Sequence, residues 1–160
     1  MDSVLFPRSR IGKRKVHIVG CGSLGSKCAE ILFKKGVDSL VVWDNDILEE
    51  RNLYNQRFLP EHVGVPKPHA IQHYAQLFDR QRAGKIEIRR EFVDADTLLS
   101  GIVIICVDSM RERKKVWTAI KKSNERAAGD SGSQVSLVID GRISIFGGKV
   151  YGFTPLNPWH

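Results

Sequence analysis

The chain has 160 residues, of which 42% are hydrophobic and 27% charged, and its formal net charge is +7. This length and composition suit one folded domain, and no apolar run reaches the roughly 20 residues of a membrane-spanning helix. The three cysteines, Cys21, Cys28 and Cys106, form no C-x-x-C pair, which argues against a zinc site and favours a reducing, cytoplasmic setting. The basic runs lack interleaved aromatic residues, so nucleic acid is not an expected partner.

Hydrophobic periodicity and turn residues predict the elements in chain order. They are strand 15–20, helix 24–35, strand 39–44, an irregular segment 45–65, helix 66–78, strand 85–90, short helix 94–99, strand 102–106, helix 110–124, and strands 135–140, 142–147 and 149–154. Alternating strands and helices indicate an α/β, Rossmann-like, mostly parallel sheet with helices on both faces. Turns at Asp140-Gly141 and Gly147-Gly148 predict antiparallel strands at the C-terminal end of a single domain over 1–160.

A glycine-rich turn joins the first strand to the first helix. Residues Gly20-Cys-Gly-Ser-Leu-Gly25 match G-x-G-x-x-G. In such a turn the first glycine permits the bend, the second lets backbone N–H groups approach a phosphate, and the third lets the helix pack on the strand. The following helix N-terminus favours an anion. The turn therefore indicates a nucleotide-binding site, with a purely structural glycine turn as the alternative.

Two acidic residues follow the second strand, at the sheet edge where open α/β sheets bind ligands. Asp44 is placed to accept hydrogen bonds from ribose hydroxyls. Asp46 is predicted to cap the next turn or to help position a metal ion.

A polar segment, Asn52-Leu-Tyr-Asn-Gln-Arg57, comes next, and its amides and guanidinium suit phosphate oxygens. Lys67 then begins a helix, where its charge opposes the helix dipole. A polyphosphate facing Lys67 would explain that conflict better than solvent does.

A third acidic residue, Asp108, ends the apolar strand 102–106. It could hold Mg²⁺ bound to phosphates or could cap helix 110–124, and its position leaves both roles open. Arg113, within that helix, faces either the same cleft or solvent.

Taken together, this succession resembles the ThiF/MoeB-type adenylating family, whose fold is shared with ubiquitin-activating enzymes. The resemblance covers residues 13 to 153, and its motifs come in the order and at about the spacing of the family. The matching pieces are Gly20-Cys-Gly-Ser-Leu-Gly25, Asp44-Asn-Asp46, Asn52-Leu-Tyr-Asn-Gln56, Gly64-Val-Pro-Lys67, and Val107-Asp108 with Arg113.

The resemblance implies ATP-dependent adenylation of the C-terminal carboxylate of a ubiquitin-like protein, a sulfur-carrier protein or a peptide, with Mg²⁺. It implies that the glycine loop (Gly20, Gly22, Ser23, Leu24 and Gly25) binds the ATP phosphates, with Asp44, Asp46, Asn55 and Arg113 completing the nucleotide site. The catalytic set it implies is Asn52, Gln56, Arg57, Lys67 and Asp108, with Asp108 as the metal ligand. Family members form dimers, so the resemblance also implies a homodimer or heterodimer.

The chain departs from the family pattern at Asn55, where the family usually has an arginine. Arg57 would replace that arginine only if the local turn aims it at the same place. This departure leaves a second hypothesis, a catalytically degenerate member that acts as a binding partner. A third hypothesis, an NAD-binding oxidoreductase, accounts for Gly20 to Asp44 and leaves Lys67 and Asp108 unexplained.

Overall fold

A computed structural model describes residues 14–144 and 147–155 of the chain. Within this part, six strands form one sheet in the order β3-β2-β1-β4-β5-β6. The strands are β1 (Val16–Val19), β2 (Leu40–Trp43), β3 (Glu87–Arg89), β4 (Gly101–Ile105), β5 (Val135–Ser144) and β6 (Gly147–Phe153). Strands β1 to β5 pair in parallel, and β6 pairs antiparallel with β5, so the predicted fold class is confirmed.

Four helices lie in the described part of the chain. They are α1 (Ser23–Lys34), α2 (Lys67–Gln76), α3 (Arg80–Ala83) and α4 (Met110–Arg126). Side chains cap α3 and α4, where Asp79 and Ser109 accept hydrogen bonds from the backbone of the first turn. Short 3-10 turns at Glu50–Tyr54 and Pro60–His62 interrupt the segment that was predicted to be irregular.

The helices cover the two faces of the sheet, and this explains why the central strands are apolar without alternation. One buried cluster lies between the sheet and helices α1 and α2 and includes Ile18 and Phe33. The other includes Val103 and Ile120 and lies between the sheet and α4. The strand order reverses between β1 and β4, so the carboxyl ends of these two strands open a crevice between the helices.

The short helix predicted at 94–99 is wrong. Residues 94–97 instead form a turn in which the side chain of Asp94 accepts hydrogen bonds from Asp96 N at 3.0 Å and Thr97 Oγ1 at 2.8 Å. Asp94 N in turn donates to Thr97 Oγ1 at 3.0 Å. These local side-chain bonds compete with helix formation, as they commonly do for Asp and Thr.

The predicted strand boundaries near the C-terminal end are also wrong. Residues 135–140 and 142–144 form one continuous strand, β5, so Asp140-Gly141 is not a turn. Gly147 and Gly148 are the first residues of β6 and pair with Ser144 and Ile143. Gly147-Gly148 is therefore not a turn either, and residues 145 and 146 of the predicted strand 142–147 lie outside the described part. Asp140 belongs in the strand because its carboxylate has two arginine partners there.

Among the described residues, no helix combines the length and the apolar character needed to cross a membrane.

Candidate functional site

A cavity of about 590 Å³ opens at the carboxyl edge of the sheet, where the strand order reverses. Twelve of the fourteen residues predicted for the site lie on its wall, and they come from segments that are far apart in the sequence. These twelve are Gly20, Gly22, Ser23, Leu24, Asp44, Asp46, Asn52, Asn55, Gln56, Lys67, Asp108 and Arg113. The other two are Gly25, which packs beneath the glycine loop, and Arg57, which points elsewhere.

The glycines of the loop have two different roles. Gly20 has a φ of +95°, and a Cβ there would lie 3.0 Å from the backbone of Cys106. A Cβ at Gly25 would lie only 1.8 Å from the carbonyl oxygen of Gly20. At Gly22, by contrast, no atom of the described residues comes within 4 Å of a Cβ. Gly20 and Gly25 are therefore required by packing, whereas Gly22 keeps the cavity open beside the first N–H groups of α1, a place suited to an anion.

Ser23 and Leu24 connect the loop to its surroundings. Ser23 Oγ donates to the carbonyl oxygen of Asn55 at 3.0 Å, which ties the start of α1 to the polar segment. The side chain of Leu24 packs directly against Gly141 of β5, where any Cβ would lie 2.3 Å from Leu24 Cδ2.

Asp44 holds the glycine loop against the end of β2. Its Oδ2 accepts from Cys21 N at 2.6 Å, and its Oδ1 accepts from Asp46 N at 2.8 Å. The residue is 7% exposed, and this burial raises the pKa of the carboxyl group, while the two backbone N–H donors act in the opposite direction. Each oxygen keeps a second lone pair, so the carboxylate can also accept hydrogen bonds from a ligand's hydroxyl groups.

Asp46 and Lys67 form an ion pair in the cavity wall. Lys67 Nζ lies 2.6 Å from Asp46 Oδ2, and Lys67 N donates to the Asp46 carbonyl at 2.9 Å. The lysine side chain is 8% exposed and that of Asp46 is 56% exposed. The prediction that Asp46 caps the next turn is wrong, because Glu49 occupies the cap position of the 3-10 turn Glu50–Tyr54. The Asp46 carboxylate instead offsets the unfavourable position of Lys67 at a helix N-terminus.

The polar segment presents amide groups to the cavity. Asn52 Oδ1 accepts from Glu49 N at 3.0 Å, which orients this side chain. Gln56 Oε1 is buried and has no hydrogen-bond partner among the described residues. A buried amide oxygen without a hydrogen bond is costly, so a bound ligand that donates a hydrogen bond to Gln56 Oε1 would remove this cost.

Arg57 does not reach the cavity. Its Nε pairs with Glu30 Oε2 of α1 at 3.1 Å, and its backbone N donates to Ser26 Oγ at 3.0 Å. The turn thus aims the guanidinium at the outer surface of α1, and the expected replacement for an arginine at position 55 is not formed. Arg51, which the sequence analysis missed, borders the cavity instead, although its side chain is 78% exposed and pairs with Glu49.

Asp108 is exposed on the cavity wall and makes no hydrogen bond or ion pair with any other described residue. The capping hypothesis for Asp108 is wrong, because Ser109 Oγ accepts from Glu112 N at 3.1 Å and caps α4. The carboxylate is therefore available to a cation.

Arg113 is buried at the base of the cavity rather than facing solvent. Its guanidinium bonds to the carboxylate of Asp140, to the carbonyl of Val107 and, at 2.9 Å, to the carbonyl of Gly141. It thereby joins the segment after β4 to the middle of β5. Asp140 and its second partner, Arg142, also belong to this part of the site, and the mistaken turn at 140–141 hid both from the sequence analysis.

These features define a Rossmann-like α/β domain with a glycine loop, a buried acid after β2 and, among the described residues, an unpaired acid after β4. The chain belongs to the ThiF family, whose profile matches residues 7–158.

Relatives with known names are much longer than this chain. It is 28% identical over 160 residues to ubiquitin-like modifier-activating enzyme 5 of Gallus gallus, with 82% of this chain and 38% of the relative covered. The same enzyme of Aedes aegypti is 34% identical over 133 residues, with 69% and 32% covered. The chain thus spans about a third of the length of these curated relatives.

Solved structures share the fold. E. coli tRNA N6-threonylcarbamoyladenosine dehydratase, TcdA, in complex with ATP superposes with a TM-score of 0.61 at 21% identity, covering 78% of this chain and 54% of that one. E. coli MccB with MccA superposes with a TM-score of 0.62 at 20% identity, covering 92% and 42%.

Proposed function

We propose that this chain is an adenylation domain that uses ATP and Mg²⁺ to activate a C-terminal carboxylate of a ubiquitin-like protein, a sulfur-carrier protein or a peptide. The observation that carries the proposal is the gathering of Asp44, Lys67 and Asp108 around one cavity at the glycine loop of a ThiF-family fold. These residues come from three separate parts of the chain, and a simple dinucleotide site has no need of the last two.

The residues present fit a nucleoside triphosphate. Gly22 leaves open space for phosphate beside the N–H groups of α1. Gln56 Oε1 is a buried acceptor without a partner among the described residues, and a hydroxyl or amino group of the nucleotide would donate to it. In our proposal Asp44 accepts hydrogen bonds from the ribose, and the N-terminus of α1, Asn52 and Lys67 hold phosphate oxygens. To do so, Lys67 exchanges its ion pair with Asp46 for one with phosphate, and the exposed Asp46 carboxylate is released to water.

Asp108 is the residue that would hold Mg²⁺, since a free carboxylate on the wall of a phosphate site is the usual protein ligand of this ion. A bound Mg²⁺ would neutralise phosphate charge. The proposed reaction is attack of a carboxylate oxygen on the α-phosphorus of ATP with release of pyrophosphate. It asks of the protein only positioning and charge stabilisation, which Lys67 and backbone N–H groups supply.

The acceptor class is proposed from the relatives. Several are named ubiquitin-like modifier-activating enzymes, and MccB has been solved with MccA. We propose a ubiquitin-like protein, a sulfur carrier or a peptide as the acceptor, a cytoplasmic setting, and a homodimer or heterodimer as the working form. The fold comprises one sheet with a core on each face, and we therefore propose residues 1–160 as a single domain.

One observation favours the degenerate binding partner as a second candidate. Asn55 has no positive charge, and Arg57 pairs with Glu30 outside the cavity. A site that lacks one electrostatic stabiliser can lose on the order of 10²–10³ in rate while the protein still binds its partners.

Calorimetry with ATP and Mg²⁺ tests the proposal. Wild type is expected to bind ATP with micromolar affinity and Asp44→Ala to lose that binding, whereas NAD, as the control ligand, should bind neither protein. Asp44 also holds the glycine loop through Cys21 N, so its loss could unfold the variant. Circular dichroism is therefore the control that establishes that the variant is folded.

Each outcome has one meaning. Binding of ATP justifies a search for the acceptor by ATP–pyrophosphate exchange. Absence of ATP binding by the folded wild-type protein would refute the enzyme assignment for this chain and favour the degenerate partner. Tighter binding of NAD than of ATP would favour an oxidoreductase.

A further inference from the structure

A cluster of two arginines around one aspartate lies at β5, beside the carboxyl end of β4. Asp140 is 1% exposed, and its Oδ1 bonds to the guanidinium of Arg113. Its Oδ2 accepts from Arg142 Nε at 3.1 Å and from Arg142 Nη2 at 2.8 Å. One carboxylate is thus shared by two guanidinium groups, and the cluster keeps an excess of one positive charge.

The excess charge faces the cavity through Arg142. Arg113 is buried, and carbonyl oxygens accept its remaining bonds. Arg142 borders the cavity with 43% of its side chain exposed, and its Nη1 has no partner in residues 14–144 or 147–155. The guanidinium carbon lies 5.1 Å from the ring centre of Tyr151, which with Asp140 restricts its orientation. Such a fixed guanidinium with free donors is suited to a ligand oxyanion.

The neighbours of Arg142 point to the phosphate end of a nucleotide. The adjacent Gly141 packs against Leu24 in the first turn of α1. Asp108, the free carboxylate suited to a cation, follows the neighbouring strand β4. Asp44 lies after β2, three strand spacings or about 14 Å across the sheet from β5. A nucleotide with its ribose at Asp44 would therefore present its outer phosphates, and not its ribose, to Arg142.

We propose that Arg142 binds the polyphosphate of the nucleotide, with Asp140 and Arg113 as positioning residues. This inference rests on the proposed function. It adds a guanidinium group to the phosphate site, in place of the arginine that the family usually has at position 55. Arg57 is excluded because it pairs with Glu30 outside the cavity.

Calorimetric titrations with ATP and with AMP, both in Mg²⁺, test the proposal on Arg142→Gln. The matched control is Lys149→Gln, which removes one positive charge from the residue paired with Arg142 across the hairpin. Lys149 is exposed and does not border the cavity. Arg142→Gln is expected to weaken ATP binding about ten- to hundredfold, the effect of losing charge-assisted hydrogen bonds, and to leave AMP binding within about twofold.

Two further variants refine the test. Arg142→Lys keeps the charge but not the paired donors, so its ATP affinity should fall between those of Arg142→Gln and wild type. Asp140→Asn should lower the ratio of ATP to AMP affinity, a change that general destabilisation would not produce. If Asp140→Asn fails to fold, Arg142→Gln still decides the question, because that side chain is exposed.

Unchanged ATP affinity in Arg142→Gln would overturn the assignment and leave the proposed function standing. Equal weakening of ATP and AMP, or an equal effect of Lys149→Gln, would also overturn it, because neither requires a contact with the outer phosphates. Failure of the wild-type chain to bind ATP would overturn both proposals, and that result differs from all the others.

Discussion

Two alanine substitutions in the glycine loop separate its packing role from its binding role. In Gly25→Ala the new methyl would lie 1.8 Å from the carbonyl oxygen of Gly20 and 3.4 Å from Cys106 Cβ. In Gly22→Ala no atom of the described chain lies within 4 Å of the methyl, and φ is −74°, outside the left-handed range that favours glycine. Gly25→Ala must therefore displace backbone, whereas Gly22→Ala enters open space.

The expected costs differ accordingly. Overpacking costs about 1–3 kcal/mol and occasionally more. Because the overlap at Gly25 is with a backbone carbonyl, which cannot change rotamer, we expect Gly25→Ala to lose about 3 kcal/mol or more of the free energy of unfolding. Gly22→Ala should also lower the free energy of unfolding, because alanine is a poorer N-cap than glycine, but by less than about 1 kcal/mol.

Urea unfolding measures both free energies, and calorimetry measures ATP affinity. Gly22→Ala should weaken ATP binding about tenfold or more, because its methyl occupies the approach to the N–H groups of α1. A Gly25→Ala variant as stable as wild type would refute the packing argument. A Gly22→Ala variant that binds ATP like wild type would show that phosphate does not approach the loop at this point.

Three further predictions concern charge. Lys67→Met should weaken ATP binding at least tenfold, yet change the free energy of unfolding by less than about 1 kcal/mol in urea titrations, because its partner Asp46 is 56% exposed. Arg57→Gln should leave the calorimetric ATP affinity within about twofold of wild type, and a tenfold loss would contradict the pairing with Glu30. Burial, and after it the charge of Lys15, lowers the pKa of His17 from 6.5 to about 4. The unfolded chain therefore binds this proton more tightly, and stability falls as the pH drops from 6.5 towards 4. This lowering of the pKa corresponds to about 3 kcal/mol, at about 1.4 kcal/mol for each tenfold change in proton affinity. Urea unfolding at pH 7 and pH 4.5 should show wild type losing about 2–3 kcal/mol more than His17→Phe, and equal losses would refute this.

Local sequence pattern determined the first strand–helix–strand unit and strand β4. The glycine turn, the apolar strands β1, β2 and β4 and the amphipathic helix α1 each follow from periodicity and turn chemistry within about a dozen residues. Because parallel strands place their carboxyl ends at one edge, it also followed that residues after β1, β2 and β4 would meet there. Asp44, Lys67 and Asp108 do line one cavity.

Only the tertiary structure decided how Arg57 and Asp140 pair, because their partners Glu30 and Arg113 lie far from them in sequence. Arg57 could have faced the cavity, but Glu30 on α1 draws it outward. Asp140-Gly141 has the local signature of a turn, yet both residues lie within β5, where two arginines bind the Asp140 carboxylate. Local propensity is worth about 1 kcal/mol or less for each residue, whereas a buried carboxylate without its partners costs several. The pairing of these charged side chains therefore outweighed local propensity at Arg57 and Asp140. Because Asp140 lies within β5, Arg142 of the same strand lies at the cavity.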